Sequence, residues 1–326
     1  MKRLLLALFR IWVAIAVILG VAMAWMTVMP GDAGGKSGVQ VSPSLASSLQ
    51  AHVTAIAGER NIATPAALDR AAAYIETQLA GMGYDVKSQW FDTAGVRVRN
   101  IYVIVPGTTD AAVVVGAHYD SARHTAGADD NASGVAALLE LARTAKSAPA
   151  AGAALHLVFF TNEEPPYFRT QAMGSYHYAD SLSRANTRVT GMFSLEMLGY
   201  YCDVPGCQRY PFPLSVVFPD KGNFIGFVSN PDSRGMLREV TREFRKHAGI
   251  ASEGIAAPTF IQGVDYSDQQ WFWHFGWPAV MVTDTSFMRN PHYHKMSDTP
   301  DKLDYSRMAA VVDGLTHVIA AQRAKK

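Results

Sequence analysis

Apolar positions along the chain fall into two kinds of segment. The first is the short continuous run, seen in AAVVVGA (111–117), ALHLVFFT (154–161), TGMFSL (190–195) and WPAVMVT (277–283). Such runs suit strands buried on both faces. VKSQWF (86–91) and VRVRNIYVIV (96–105) also read as strands, as do LSVVFP (214–219) and FIGFVS (224–229) on either side of a DKGN turn. The second kind has helical spacing. Leu68, Ala72, Ile75 and Leu79 line one face behind a Thr64 cap and Pro65 in the first turn, and Gly81 and Gly83 end the helix. Further helical patterns cover 133–146 and lie near 232–248 and 304–323. Strands alternating with helices predict a doubly wound α/β fold, with a mixed, mainly parallel sheet and helices on both faces.

The amino-terminal pattern is different. Lys2, Arg3 and Arg10 precede IWVAIAVILGVAMAWMTVM (11–29), which contains no charge and only Thr27 as a polar side chain. At about 1.5 Å per residue, a helix of this length crosses a hydrocarbon core of about 30 Å. Basic residues on its amino side keep that end cytoplasmic and export the remainder of the chain. Ala22-Met23-Ala24 offers a competing signal-cleavage pattern, but the apolar run continues five residues beyond it, which favours an uncleaved anchor. Residues 1–30 are thus expected to form a transmembrane anchor or signal segment. Glycine-rich residues 31–42 are a linker, and 43–326 a catalytic domain outside the (inner) cell membrane, on the periplasmic or extracellular side. The segment 199–260 reads as an insertion or edge elaboration near the site.

Composition changes this picture little. The 326 residues are 49% hydrophobic and 17% charged, enough for one large core, and a formal net charge of +1 gives no field for nucleic acid. Cys202 and Cys207, in CDVPGC, can close a small disulfide loop in an exported protein and lack the CxxC pairs of a thiolate zinc site.

Candidate chemistry lies just beyond the apolar strands. His118 and Asp120 follow one strand in GAHYDS, and Asp129, Asp130 and Asn131 meet a helix start in GADDNASG. Glu163 and Glu164 end another strand, Glu196 ends a third, and His292, His294 and Asp298 lie in RNPHYHKMSDTPDKLDY. Each alone could be a helix cap or a solvated loop. In an open α/β sheet, however, residues after different strands converge on one crevice. Two histidines and three carboxylates gathered there, without thiolate, suit a catalytic zinc site. Asp120 can orient His118 by accepting its other ring N–H. Trp271, Trp273 and Trp277 are expected in core packing.

Together these motifs resemble the zinc aminopeptidase family of aminopeptidase Y and the secreted bacterial leucyl aminopeptidases, metallopeptidase family 28, from about residue 50 to 320. The resemblance implies two zinc ions bridged by Asp130. One would be held with Glu164 and His294, the other with His118 and Glu196. It makes Glu163 the general base, Asp120 a partner of His118, and Tyr293 a candidate for stabilising the oxyanion. Glu196 stands where the family usually has Asp, so its longer side chain is expected to alter the second zinc site. PPYFRTQAMGS after the glutamate pair, and SDQ at 267–269, also depart from the family pattern and are expected on the pocket wall. The activity implied is release of amino-terminal residues from peptides. Carboxypeptidase action stays open, because a metal site does not say which peptide end is held. A one-zinc glutaminyl cyclase would not need the full ligand set, and a non-catalytic ectodomain would have lost ligands or the base.

Overall fold

The computed structural model describes residues 2–25, 27–31, 42–150, 152–212 and 214–325. The elements in chain order are α1 (Lys2–Trp25), β1 (Thr27–Met29), α2 (Pro43–Ile56), α3 (Pro65–Gly81), β2 (Lys87–Thr93), β3 (Val96–Val105) and β4 (Ala111–His118). They continue with α4 (Gly134–Lys146), β5 (Ala154–Phe160), α5 (Gly174–Arg184), β6 (Arg188–Glu196) and β7 (Phe224–Ser229). The last are α6 (Arg234–His247), β8 (Ala251–Ala256), α7 (Gln269–His274), β9 (Ala279–Thr283) and α8 (Tyr305–Arg323).

The strands form one sheet in the order β1-β8-β7-β9-β6-β4-β5-β3-β2. Its centre, β9-β6-β4-β5, is parallel, as the continuous apolar runs predict, and only β3, β7 and β8 run against that direction. Alternate residues of β4 and β5 face opposite layers. Val113, Val115, Leu155 and Leu157 pack in the main core, which also holds Leu49, Ile75, Leu139, Phe244 and Val311 from α2, α3, α4, α6 and α8. Val114, Val158 and Phe160 pack instead with Tyr178 of α5 and Phe272 of α7. Trp271, Trp273 and Trp277 lie against that second cluster, so they are packing residues.

Several local expectations are corrected. Leu214–Val216 form a 3-10 turn rather than a strand, since Val217 and Phe218 donate back to the Leu214 carbonyl. Thr64 precedes α3 but makes no side-chain cap; its hydroxyl accepts from the Asn61 N–H instead. The run 11–29 is not one helix: α1 ends at Trp25, and Thr27–Met29 pair antiparallel with Gly254–Ala256, satisfying an otherwise open sheet edge. Among the described residues no helix is long and apolar enough to cross a membrane. Most of the predicted linker, 32–41, lies outside the described residues. Beyond β9, residues 224–256 extend the main sheet through β7 and β8.

Candidate metal centre

The predicted acids and histidines meet at the carboxyl ends of β4, β5 and β6, which are neighbours in the sheet. His118 is the last residue of β4 and Glu196 the last of β6, while Glu163 and Glu164 follow β5 by a short turn. Asn162, Met197 and His294 each have positive φ, of 59°, 52° and 56°. Non-glycine residues seldom adopt this left-handed conformation, and here it turns the chain abruptly at or beside each ligand. Gly127, with φ +58°, opens the GADD loop; a Cβ there would lie 2.6 Å from the Asp130 carbonyl oxygen, so the turn requires glycine.

Asp130 occupies the middle. Its Oδ1 is 3.4 Å from His118 Nε2, and its Oδ2 is 3.2 Å from His294 Nε2. Glu196 Oε2 completes one group at 3.3 Å from His118 Nε2, and Glu164 Oε2 completes the other at 3.2 Å from His294 Nε2. Of three groups of possible ligands among the described residues, two share the Asp130 carboxylate, His118-Asp130-Glu196 and Asp130-Glu164-His294, and the third is His118-Glu163-Glu164. Glu163 adjoins both Asp130 triads, with Oε2 3.9 Å from His118 Nε2.

The charge balance of this cluster fits a cation. Burial raises the carboxyls of Glu163 and Glu196, and brings that of Glu164 up to about 7. Asp130 alone is held below the usual carboxylate range, because hydrogen bonding to His118 and His294 outweighs its burial. His294 is correspondingly pushed up to about 10 by Asp130 and Glu164, against the effect of burial. Four acids packed around two imidazoles without thiolate form a donor set that suits zinc, and both cysteines are removed from the site by the Cys202–Cys207 disulfide.

Asp120 lies beside His118, as expected, and has a second role. Its Oδ1 lies 3.5 Å from His118 Nδ1, and that ring nitrogen makes no hydrogen bond. Its two oxygens also accept the backbone N–H groups of Glu163 and Glu164, both at 3.2 Å, so Asp120 positions the glutamate pair. Further supports went unread in the sequence. Asn131 donates to the Leu195 carbonyl at 2.8 Å and accepts from Met197 N–H at 3.0 Å, tying the GADD loop to the end of β6. Asp298 accepts from the N–H groups of Asp129 and Asp130, and Arg60 donates to the carbonyls of Tyr119 and Gly127. Ser267 donates to Glu196 Oε2 at 2.6 Å. Their side-chain types are ordinary, and only burial next to the ligand loops marks them.

A cavity of about 420 Å³ opens from the ligands across β9, β7 and β8. Pro165, Phe168 and Arg169 line it, as expected of the segment after the glutamate pair, whereas Ser267–Gln269 sit behind Glu196 rather than on its wall. Tyr293 borders the cavity and stacks on the His294 ring, with centroids 3.8 Å apart.

A mixed sheet with paired histidine-carboxylate triads at its strand ends defines a candidate metalloenzyme. The profile of peptidase family M28 matches residues 100–319, and the chain belongs to that family. It is 36% identical over 325 residues to the uncharacterized Escherichia coli protein YfbL, covering 97% of this chain and 98% of that one. It is 30% identical to aminopeptidase YwaD of Bacillus subtilis over 66% of this chain and 42% of that protein. The chain spans about half the length, or less, of the curated aminopeptidases it matches. The fold is also that of BSAP, a zinc aminopeptidase from Bacillus subtilis, with a TM-score of 0.66 and 16% identity over 87% of this chain and 96% of that one.

Proposed function

We propose that this protein is a zinc-dependent aminopeptidase that releases amino-terminal residues from peptides and holds two zinc ions. The observation carrying this reading is Asp130, whose two oxygens face different histidines. Asp130, Glu164 and His294 would hold one ion, and Asp130, His118 and Glu196 the other. Zinc in such a site polarises the scissile carbonyl and brings the pKa of a bound water toward about 7. Glu163 belongs to neither Asp130 triad, although it could group with His118 and Glu164; buried beside them and left unligated, it would take a proton from the attacking water and return it to the leaving amine. Its carboxyl, raised by burial and by the neighbouring Glu196 and Glu164, is suited to both transfers. The Tyr293 hydroxyl is kept protonated by burial and nearby carboxylates, so it can donate to the developing oxyanion.

The test joins metal content to turnover. Glu163→Gln should keep two zinc ions per chain while kcat on aminoacyl substrates falls by about a hundredfold to ten-thousandfold. Near-normal turnover would remove Glu163 as the base, and a single tightly held zinc would remove the two-ion site.

We also propose that the domain lies outside the cell membrane, attached through the exposed apolar side chains of α1. Leu4, Leu8, Ile11, Ile15, Ile18 and Val21 of α1 are all exposed, and the Cys202–Cys207 disulfide suits an oxidising compartment. Recovery of the full chain in the soluble fraction of broken cells would refute the anchor.

A further inference from the structure

The cavity beside the metal centre ends on a carboxylate that the proposed chemistry does not use. Cross-strand register sets Glu196 of β6 beside Thr283 of β9, Thr283 beside Gly226 of β7, and Gly226 beside Glu253 of β8. Residues paired in this way project to the same face of a sheet, and all four line the cavity. With neighbouring strands about 4.8 Å apart, three steps put Glu253 about 14 Å along the floor from Glu196, measured between backbones. Gly226 leaves the middle of that floor without a side chain. Val228, Ile255, Met281 and Phe287 give the walls an apolar character.

Glu253 is out of place in such a wall. It is only 6% exposed, and its Oε2 accepts the Gly31 N–H at 2.5 Å. Arg245 lies near enough to act on it electrostatically, but its guanidinium donates to the Ser252 carbonyl and hydroxyl and to the Met29 carbonyl. Burial raises the Glu253 carboxyl, so a cation entering the cavity would recover part of the cost of keeping it ionised. A substrate whose scissile carbonyl sits at the metal end has this floor open to the side chain of its terminal residue. The Glu253 carboxylate is held at the far end, toward Gly31 on the β1 side, so the span from the metal end to it suits a long side chain with an apolar stem and a charged tip.

We propose that the cavity selects peptides whose amino-terminal residue is lysine or arginine, its stem lying over Gly226 and its cationic end pairing with Glu253. This rests on the aminopeptidase reading, and the experiment separates the two. Zinc-loaded full-length protein and its Glu253→Gln variant are compared on lysyl, arginyl, leucyl and norleucyl 4-nitroanilides, and calorimetry measures binding of lysinamide and norleucinamide. Glutamine keeps an acceptor for Gly31 and removes the charge. The unmodified protein should favour lysyl over norleucyl by about tenfold or more in kcat/KM. The variant should lose about tenfold to a hundredfold on lysyl and arginyl, mainly through KM, and far less on norleucyl. A preference for norleucyl in the unmodified protein, or an equal loss on all four substrates, overturns the proposal. So does release of dipeptides from an unblocked lysyl peptide run alongside, which would assign Glu253 to a substrate α-amine. If no substrate turns over, yet lysinamide binds more tightly than norleucinamide and only in the unmodified protein, the aminopeptidase reading fails and the selectivity stands. Equal binding of the two amides, with turnover intact, leaves the peptidase and removes the selectivity.

Discussion

Around Asp130, His118 and Glu196 end β4 and β6, Glu163 and Glu164 closely follow β5, and Asp130 and His294 come from the loops after β4 and β9, all within short motifs. Around Gly226, two strands along the sheet from Glu196, the cavity floor comes from β9, β7 and β8, and no motif announces it. The metal end is defined by residue type, because only imidazole and carboxylate can do its work. The floor is defined by register, since Gly226, Thr283 and Glu253 acquire their roles only by standing side by side. Chemistry and selectivity are therefore separable here. Substitutions at one end should leave the signature of the other intact.

The largest effect is expected at the metal end. His294→Ala removes a ligand that faces both Asp130 and Glu164, so bound zinc should fall below two per chain and kcat/KM should drop at least about a thousandfold on every substrate. A loss confined to one substrate class would merge the two regions. Next comes Gly226→Val. A Cβ at this position would lie 3.1 Å from the Thr283 carbonyl oxygen and 3.5 Å from Thr285 Cγ2, so the larger side chain must fill the floor. About tenfold weaker KM on long side chains is expected, with alanyl substrates and zinc content unchanged. Equal losses on alanyl and lysyl substrates would mean that the floor also supports the metal site. The smallest effect concerns the amino-terminal segment. Val28 packs with Ile255 and Ile261, and Gly31 donates to Glu253, so this segment closes the outer edge of the cavity. Deleting residues 1–31 should leave zinc binding intact and weaken lysyl hydrolysis by a few-fold, about the worth of one charge-assisted hydrogen bond partly replaced by water. Lost zinc binding would show that the segment supports the whole domain.

Much of the fold could be read from the residues. The apolar runs at 111–117, 154–161, 190–195 and 277–283 became the parallel centre of the sheet, because a strand covered by helices on both faces must be apolar throughout. The helices over 65–81 and 134–146 likewise followed from spacing. LSVVFP misled, since its β-branched pair sits in a 3-10 turn whose Leu214 reaches the cavity while Val216 stays exposed. The run 11–29 concealed a break, because hydropathy cannot show that an open edge of β8 is available to pair with Thr27–Met29.

For the site, the sequence by itself determined which side chains could bind metal and, through family resemblance, how they would divide between two ions. That was possible because metal chemistry limits the choice to a few residue types placed after strands. Only the tertiary structure decided that Asp120 holds the glutamate backbone, that Ser267 bonds Glu196, and that Glu253 closes a cavity begun by Glu196. Those relations depend on distances between residues tens of positions apart in the chain. They are set by sheet order and register, which local patterning does not encode.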